Sequence, residues 1–208
     1  MKLNNKYLVI INPISGPKSS ENISDSISKI LIKKKINFDI FISQYKNHIT
    51  EYIMSLMPTL YTDIIIWGGD GTFNEAVNGL LNRKDNYLPA LGLLPGGSGN
   101  SVMHDLQATR LDDALQLIMN NNKKMIDVMK IEYSNTVNYS INIAGWGMVA
   151  DIANLAEKLR WLGTSRYTLA SLVYILKSKK REAIFTIDQK QFKGNYLFIT
   201  ISNTIFTG

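Results

Sequence analysis

Ile64-Ile65-Ile66-Trp67-Gly68-Gly69-Asp70-Gly71-Thr72-Phe73-Asn74-Glu75 decides how the rest of the chain is read. The apolar run has the length of a buried strand, stops at Gly-Gly-Asp-Gly, and passes at once into a helical pattern. Gly68, Gly69 and Gly71 let the backbone come close to something bulky, and a helix N-terminus directly after them favours an anion. Asp70 is thereby held beside the place a phosphate would occupy, where it can act as a base on a hydroxyl or as a ligand of Mg2+. An aspartate beside glycine also occurs as a plain turn former. A plain turn has no need of glycine on three sides at the end of a buried strand. Glu75 falls in the first turns of the helix, where an acid is favoured in any case.

The pattern before and after this turn is β-α-β-α. Residues 7–12, 38–43, 63–67 and 90–94 read as nearly all-apolar strands, and residues 20–34, 47–57 and 72–82 as helices, with more helix from the glycine loop to about 120. Such alternation predicts a parallel sheet covered on both faces, with ligands at the carboxyl ends of its strands. The glycine turns fall at those ends. A second anion cradle follows the fourth strand, where Gly97, Ser98, Gly99 and Asn100 supply flexible amides and a hydroxyl. At the end of the first strand, Asn12 and Ser15, in Asn12-Pro13-Ile14-Ser15-Gly16-Pro17, either contact a nucleotide or cap the turn.

From about residue 125 the texture changes. Residues 126–134 and 137–144 read as strands, then come Gly145-Trp146-Gly147, helices over 149–162 and 165–179 broken at Gly163, and strands over 183–188 and 196–202 joined through 190–195. The expected division is an α/β domain over 1–124 and a β-rich, sandwich-like part with two inserted helices over 125–208. A cap at Gly163 and a new start at Thr164 or Ser165 would let Arg160 and Arg166 converge on one polyanion instead of diverging along a single helix; the plain alternative is two surface arginines. The stripe of Leu169, Leu172, Val173 and Leu176 reads as core or as the wall of a lipid pocket.

Composition narrows the classes. The chain has 208 residues, 45% of them apolar and 19% charged, as in ordinary globular proteins. The absence of cysteine excludes a disulfide framework and a thiolate zinc site. No apolar run approaches the roughly 18 residues of a membrane span, and the run after the basic start is too short for a signal peptide. A cytoplasmic protein is expected. The net charge of +6 is concentrated in Lys33-Lys34-Lys35 and in Lys177-Ser178-Lys179-Lys180-Arg181. Solvated helix ends account for both blocks, with peripheral contact to an anionic membrane face as the alternative and nucleic acid disfavoured. There is neither Gly-Lys-Ser/Thr after the first strand nor Gly-x-Gly-x-x-Gly, which argues against a Walker ATPase and a dinucleotide enzyme. His48 and His104 have no ligand spacing.

Taken together, Asn12-Pro13-x-Ser15-Gly16, Gly68-Gly69-Asp70-Gly71-Thr72-x-x-Glu75-x-x-Asn78-Gly79 and Leu94-Pro95-Gly96-Gly97-Ser98-Gly99-Asn100 resemble, in order and spacing, the diacylglycerol/sphingosine lipid kinases. Gly-Gly-Asp-Gly alone is shared with NAD kinases and phosphofructokinases. Ala144-Gly145-Trp146-Gly147-Met148-Val149-Ala150-Asp151 and Glu157-Lys158-x-Arg160-x-Leu162-Gly163-x-x-Arg166-Tyr167-Thr168-Leu169 are similar to the sphingosine and ceramide kinase branch. The resemblance implies MgATP as phosphate donor and a lipid hydroxyl as acceptor, with Asp70 as base or metal-site acid. It also implies Arg160, Arg166 and Ser43 at the ATP phosphates, and Met148, Asp151 and Leu169 on the lipid side, with the β-rich part holding the lipid. On this reading Asp70→Asn abolishes turnover while ATP binding survives. Two departures stand out. Sphingosine kinases carry a second acid at the position of Ala153, and family members continue past the equivalent of Gly208 with further strands, so the chain reads as incomplete at its C-terminus. The alternatives are a kinase of a soluble acceptor such as NAD, or a non-catalytic nucleotide- or membrane-binding chain.

Overall fold

Strands without alternation need neighbours on both faces, and the four apolar runs satisfy this in a single parallel sheet. The computed structural model describes residues 6–15, 23–97, 100–163, 165–177 and 179–206. In chain order, β1 (Lys6–Ile11), α1 (Ile23–Lys33), β2 (Asn37–Ile42), α2 (His48–Ser55), β3 (Asp63–Gly68), α3 (Asp70–Leu81) and β4 (Ala90–Pro95) build a sheet of order β2-β1-β3-β4. All three ladders are parallel, and the register pairs Ile11 with Ile42 and Trp67, and Gly68 with Pro95. The carboxyl ends of all four strands therefore lie along one edge. Leu8, Val9, Ile10, Ile64, Ile65 and Ile66 are buried at the sheet centre, under Ile27 and Leu31 of α1, Ile49 and Ile53 of α2 and Phe73, Ala76 and Val77 of α3.

After β4 come α4 (Ser101–Asp105) and α5 (Leu111–Met119), where one continuous helical stretch was expected. The break has a backbone cause. Gln107 takes φ 55°, and the Gln107 and Ala108 amides return to the carbonyls of His104 and Met103, a Schellman closure with glutamine in the left-handed position. Arg83, whose side chain is 3% exposed, closes α2 from outside by donating to the carbonyls of Ile53 and Leu56.

The hairpin β5 (Met129–Tyr133) and β6 (Thr136–Ser140) follows, then β7 (Ile143–Gly147), α6 (Met148–Lys158), a 3-10 turn (Arg160–Leu162), α7 (Ser165–Leu176), β8 (Arg181–Ile187), β9 (Lys190–Tyr196) and β10 (Phe198–Ser202). Two expectations are corrected here. The run 137–144 is two strands, not one, because Ile141 is buried in the core cluster between them. Residues 190–195, expected as a connection, belong to β9. Asp188 and Gln189 both adopt positive φ (46° and 70°), the backbone of a tight two-residue hairpin turn, and β9 pairs antiparallel with β8 from Lys190 to Tyr196.

The chain divides into two compact units, Met1–Asn142 with Asn203–Gly208, and Ile143–Ser202. The first contains the parallel sheet and the β5–β6 hairpin. Asn78 in α3 holds that hairpin: its Oδ1 accepts the Tyr139 amide at 2.9 Å and its Nδ2 donates to the Tyr139 carbonyl at 2.8 Å. The second unit pairs β7 with β10 and β8 with β9, both antiparallel, and packs α6 against α7. Its large apolar side chains are mostly exposed, with Leu172 at 56%, Leu176 at 88% and Ile201 at 61%. No helix among the described residues is long and apolar enough to cross a membrane.

Candidate active site

Three turns meet at the carboxyl edge of the sheet, and side chains from the central one tie them together. The first is the turn after β1. Asn12 accepts the Ile14 amide on its Oδ1 at 3.1 Å and the Ser15 amide on its carbonyl at 3.1 Å, so the capping role considered for Asn12 is real. It also has a second task. Asn12 Nδ2 donates to Thr72 Oγ1 at 3.0 Å, and the Ser15 and Thr72 hydroxyls share a further hydrogen bond of 3.0 Å. Thr72 is the hub of this corner, and Gly68 makes room for it: a Cβ on Gly68 would lie 2.5 Å from Thr72 Cβ.

The central turn passes from β3 into α3 through Gly69, which has extended backbone at the N-cap. The first amides of α3 have no acceptor within the helix and carry the positive end of its dipole. Gly71 stands exposed in this first turn, and a Cβ there would meet nothing within 4 Å. The helix start is open to an incoming group. Glu75 lies half-buried one turn on, and its carbonyl accepts Thr50 Oγ1 at 2.8 Å, linking α3 to α2.

The third turn follows β4. The Gly96 amide donates to the Gly68 carbonyl at 3.1 Å, and a Cβ on Gly96 would lie 2.5 Å from Trp67 Nε1, so the loop begins pressed against the indole. Its far end is held by Asp70, whose Oδ2 accepts the Ser101 amide at 2.9 Å and whose Oδ1 accepts the Val102 amide at 3.2 Å. Gly97 and Asn100 lie between these anchors, and Asn100 Nδ2 donates to the Gly97 carbonyl at 2.9 Å. Asn100 Oδ1, Ser101 Oγ and Asn74 Oδ1 are buried and have no partner among the described residues, which suits an edge built to meet further polar groups. Ser43 lies at the end of the neighbouring strand β2, buried, with its amide donating to the Ile11 carbonyl. Gly16, Ser98 and Gly99 lie outside the described residues.

Among the described residues no group of three or more His, Cys, Asp or Glu side chains could hold a metal ion. A Mg2+ carried by a nucleotide does not need one, since it is commonly held by one or two carboxylates together with substrate phosphates. Asp70 fits that donor set, because an ionised carboxylate has about four acceptor positions and the two amides use only half of them.

In the second unit, Gly163 has φ +59° and ends the 3-10 turn that includes Arg160, and α7 restarts at Ser165. Arg166 lies in the first turn of α7, its guanidinium 4.9 Å from the centre of the Tyr167 ring. Met148 opens α6 with its amide on the Leu197 carbonyl, and Leu169 on α7 is 43% exposed. Asp151 is engaged within its own unit: Arg181 Nη2 lies 2.6 Å from its Oδ2. That pairing joins a site candidate to the basic block at 177–181, which sequence reasoning had kept apart.

Residues 6–131 match the diacylglycerol kinase catalytic domain, and the chain belongs to that family. Among its curated relatives are sphingosine kinase 2 of Arabidopsis thaliana, 33% identical over 180 residues, and human ceramide kinase, 28% identical over 184 residues. The matched stretches cover 82% and 79% of this chain but only 37% and 34% of those proteins. A diacylglycerol kinase structure from Bacillus anthracis str. Sterne superimposes with a TM-score of 0.72 at 23% identity, over 97% of this chain and 65% of the other. That likeness confirms the mixed α/β fold.

Proposed function

We propose that this chain carries the nucleotide site and part of the acceptor site of an ATP-dependent lipid kinase. One observation carries the proposal: three turns at the carboxyl edge of a parallel sheet are cross-linked through Thr72 and Asp70 around a glycine-lined helix start that is open to an anion. Family membership and the names of the relatives point the same way.

In this reading the α3 amides and the Gly97–Asn100 backbone bind ATP phosphates, with Asn12, Ser15, Ser43 and Thr72 shaping the floor and Glu75 beside it. Arg160 and Arg166 are proposed as further phosphate cations. The lipid hydroxyl oxygen attacks the γ-phosphorus, the bond to the β–γ bridging oxygen breaks, and ADP leaves with that oxygen. Asp70 takes the hydroxyl proton, or holds the nucleotide's Mg2+ on the positions its amide bonds leave free. Bound Mg2+ would supply charge neutralisation on the phosphates. The acceptor is proposed as a long-chain base, ceramide-like lipid or diacylglycerol, with Met148, Asp151 and Leu169 as residues that would meet it, and peripheral contact with an anionic membrane face would deliver it.

The test is transfer of radiolabelled phosphate from MgATP to sphingosine, ceramide and diacylglycerol in detergent micelles. Label in the organic extract is the expected result. Label only in an aqueous acceptor would replace the lipid with a soluble substrate, and no transfer at all would reduce the chain to a binding role.

A further inference from the structure

Asp70 does something that the transfer step does not require. Helix α4 has only five residues, too few to persist on its own. Its N-cap residue, Asn100, makes no side-chain cap: its Nδ2 donates to the Gly97 carbonyl, and its Oδ1 meets no α4 amide. The first two α4 amides, which have no acceptor within the helix, are taken by Asp70, which lies 31 and 32 residues earlier in the chain. The near end of the same loop is pinned through Gly96 to the Gly68 carbonyl. Both ends of the second glycine loop are thus fixed to one short turn, residues 68–70.

We propose that Asp70 is a positioning residue in addition to its part in transfer: its carboxylate caps α4 across the sheet edge and so sets where Gly97 and Asn100 meet the nucleotide phosphates. The tether stands on geometry alone, while its effect on nucleotide rests on the kinase reading above. Loss of the carboxylate frees the far end of the loop while the near end stays pinned. In Asp70→Asn the side-chain oxygen can still accept one amide, but the NH2 group faces the other amide, donor against donor. Nucleotide affinity therefore falls together with turnover, contrary to the expectation that ATP binding survives this change.

Three variants of the full chain separate positioning from chemistry. Asp70→Asn removes one of the two acceptor oxygens and sets a donor in its place. Ser101→Pro removes one donor at the first helical position, where proline's φ is tolerated, and leaves Asp70 in place. It also deletes the Ser101 hydroxyl, so Ser101→Ala, which loses the hydroxyl and keeps the amide, is its reference. The readouts are hydrogen exchange of the Ser101 and Val102 amides without nucleotide, and the KM for ATP against kcat; thermal unfolding verifies that all three variants fold. Hydrogen bonds to charged groups imply exchange about tenfold or more faster at one or both amides in Asp70→Asn than in the unchanged protein. Ser101→Pro should raise the KM for ATP about tenfold over Ser101→Ala with kcat within about twofold of it, whereas Asp70→Asn should raise KM and lose kcat as well. Equal exchange of both amides in Asp70→Asn and the unchanged protein would overturn the tether, and so would an equal KM in Ser101→Pro and Ser101→Ala. If the unchanged protein transfers no phosphate, the kinase reading falls by itself and the exchange result still decides whether the tether exists.

Discussion

Replacing Asn78 by aspartate should cost more stability than replacing it by alanine, although aspartate is the closer match in shape. Asn78 faces the Tyr139 backbone with its acceptor against the amide and its donor against the carbonyl, and the same Nδ2 donates to the Asn74 carbonyl at 2.8 Å. Alanine forfeits the two bonds to Tyr139, about 1 kcal/mol each, and recovers roughly 0.6 kcal/mol of helix propensity, a net loss of about 1.5 kcal/mol. Aspartate keeps the bond to the amide but sets a carboxylate oxygen against two carbonyl oxygens in a half-buried place, a loss of about 3 kcal/mol. For a chain of this length these losses lower Tm by about 3–6 °C for Asn78→Ala and about 6–12 °C for Asn78→Asp. Thermal unfolding followed by circular dichroism measures both. Asn78→Asp as stable as Asn78→Ala, or more so, would refute the paired geometry at Tyr139.

Gly79→Ala places a Cβ 2.9 Å from Ile53 Cβ and 3.1 Å from the Thr50 carbonyl oxygen, so α2 has to move; overpacking of about 1–3 kcal/mol outweighs about 1 kcal/mol of helix propensity, and urea unfolding should show a lower midpoint. Gly71→Ala is the opposite case: its Cβ meets open space, so Tm should hold or rise slightly, while MgADP affinity measured by calorimetry falls about tenfold because the methyl stands where the phosphate would. Unchanged affinity would move the phosphate site elsewhere. Hydrogen bonds from Lys6, then Tyr61, hold the Asp39 carboxyl below its ordinary value of 3.8. A depressed carboxyl stabilises the folded state above its unfolded value and loses that contribution as pH falls through the folded one. The stability gap between the unchanged protein and Asp39→Asn should therefore be full at pH 7 and close below about pH 4. A gap that persists in acid would exclude the ionised pairing.

The parallel sheet was legible because buried central strands must be apolar without interruption, and residues 64–67 are. The glycine turns were legible for a different reason: Gly68 and Gly96 are required by close approach to Thr72 and Trp67, and no other residue type leaves that space. What the sequence hid depends on partners far along the chain. The use of both Asp70 oxygens by α4, the grip of Asn78 on Tyr139 and the pairing of Asp151 with Arg181 each join residues at least 30 positions apart, with no local periodicity to mark them. Strand β9, Lys190–Tyr196, was missed because its composition is polar and its place is set by the Asp188-Gln189 turn and the ladder to β8. The break after α4 was hidden because glutamine, not glycine, occupies the left-handed position.

Backbone amide shifts on titration with MgADP decide whether the three turns at the carboxyl edge of the sheet form one nucleotide site. The largest changes should fall at Gly69, Gly71 and Thr72, at Ser15, and at Gly97 and Ser101, saturating together as one site. Changes confined to the basic blocks at 33–35 and 177–181, with the glycine turns silent, would contradict it.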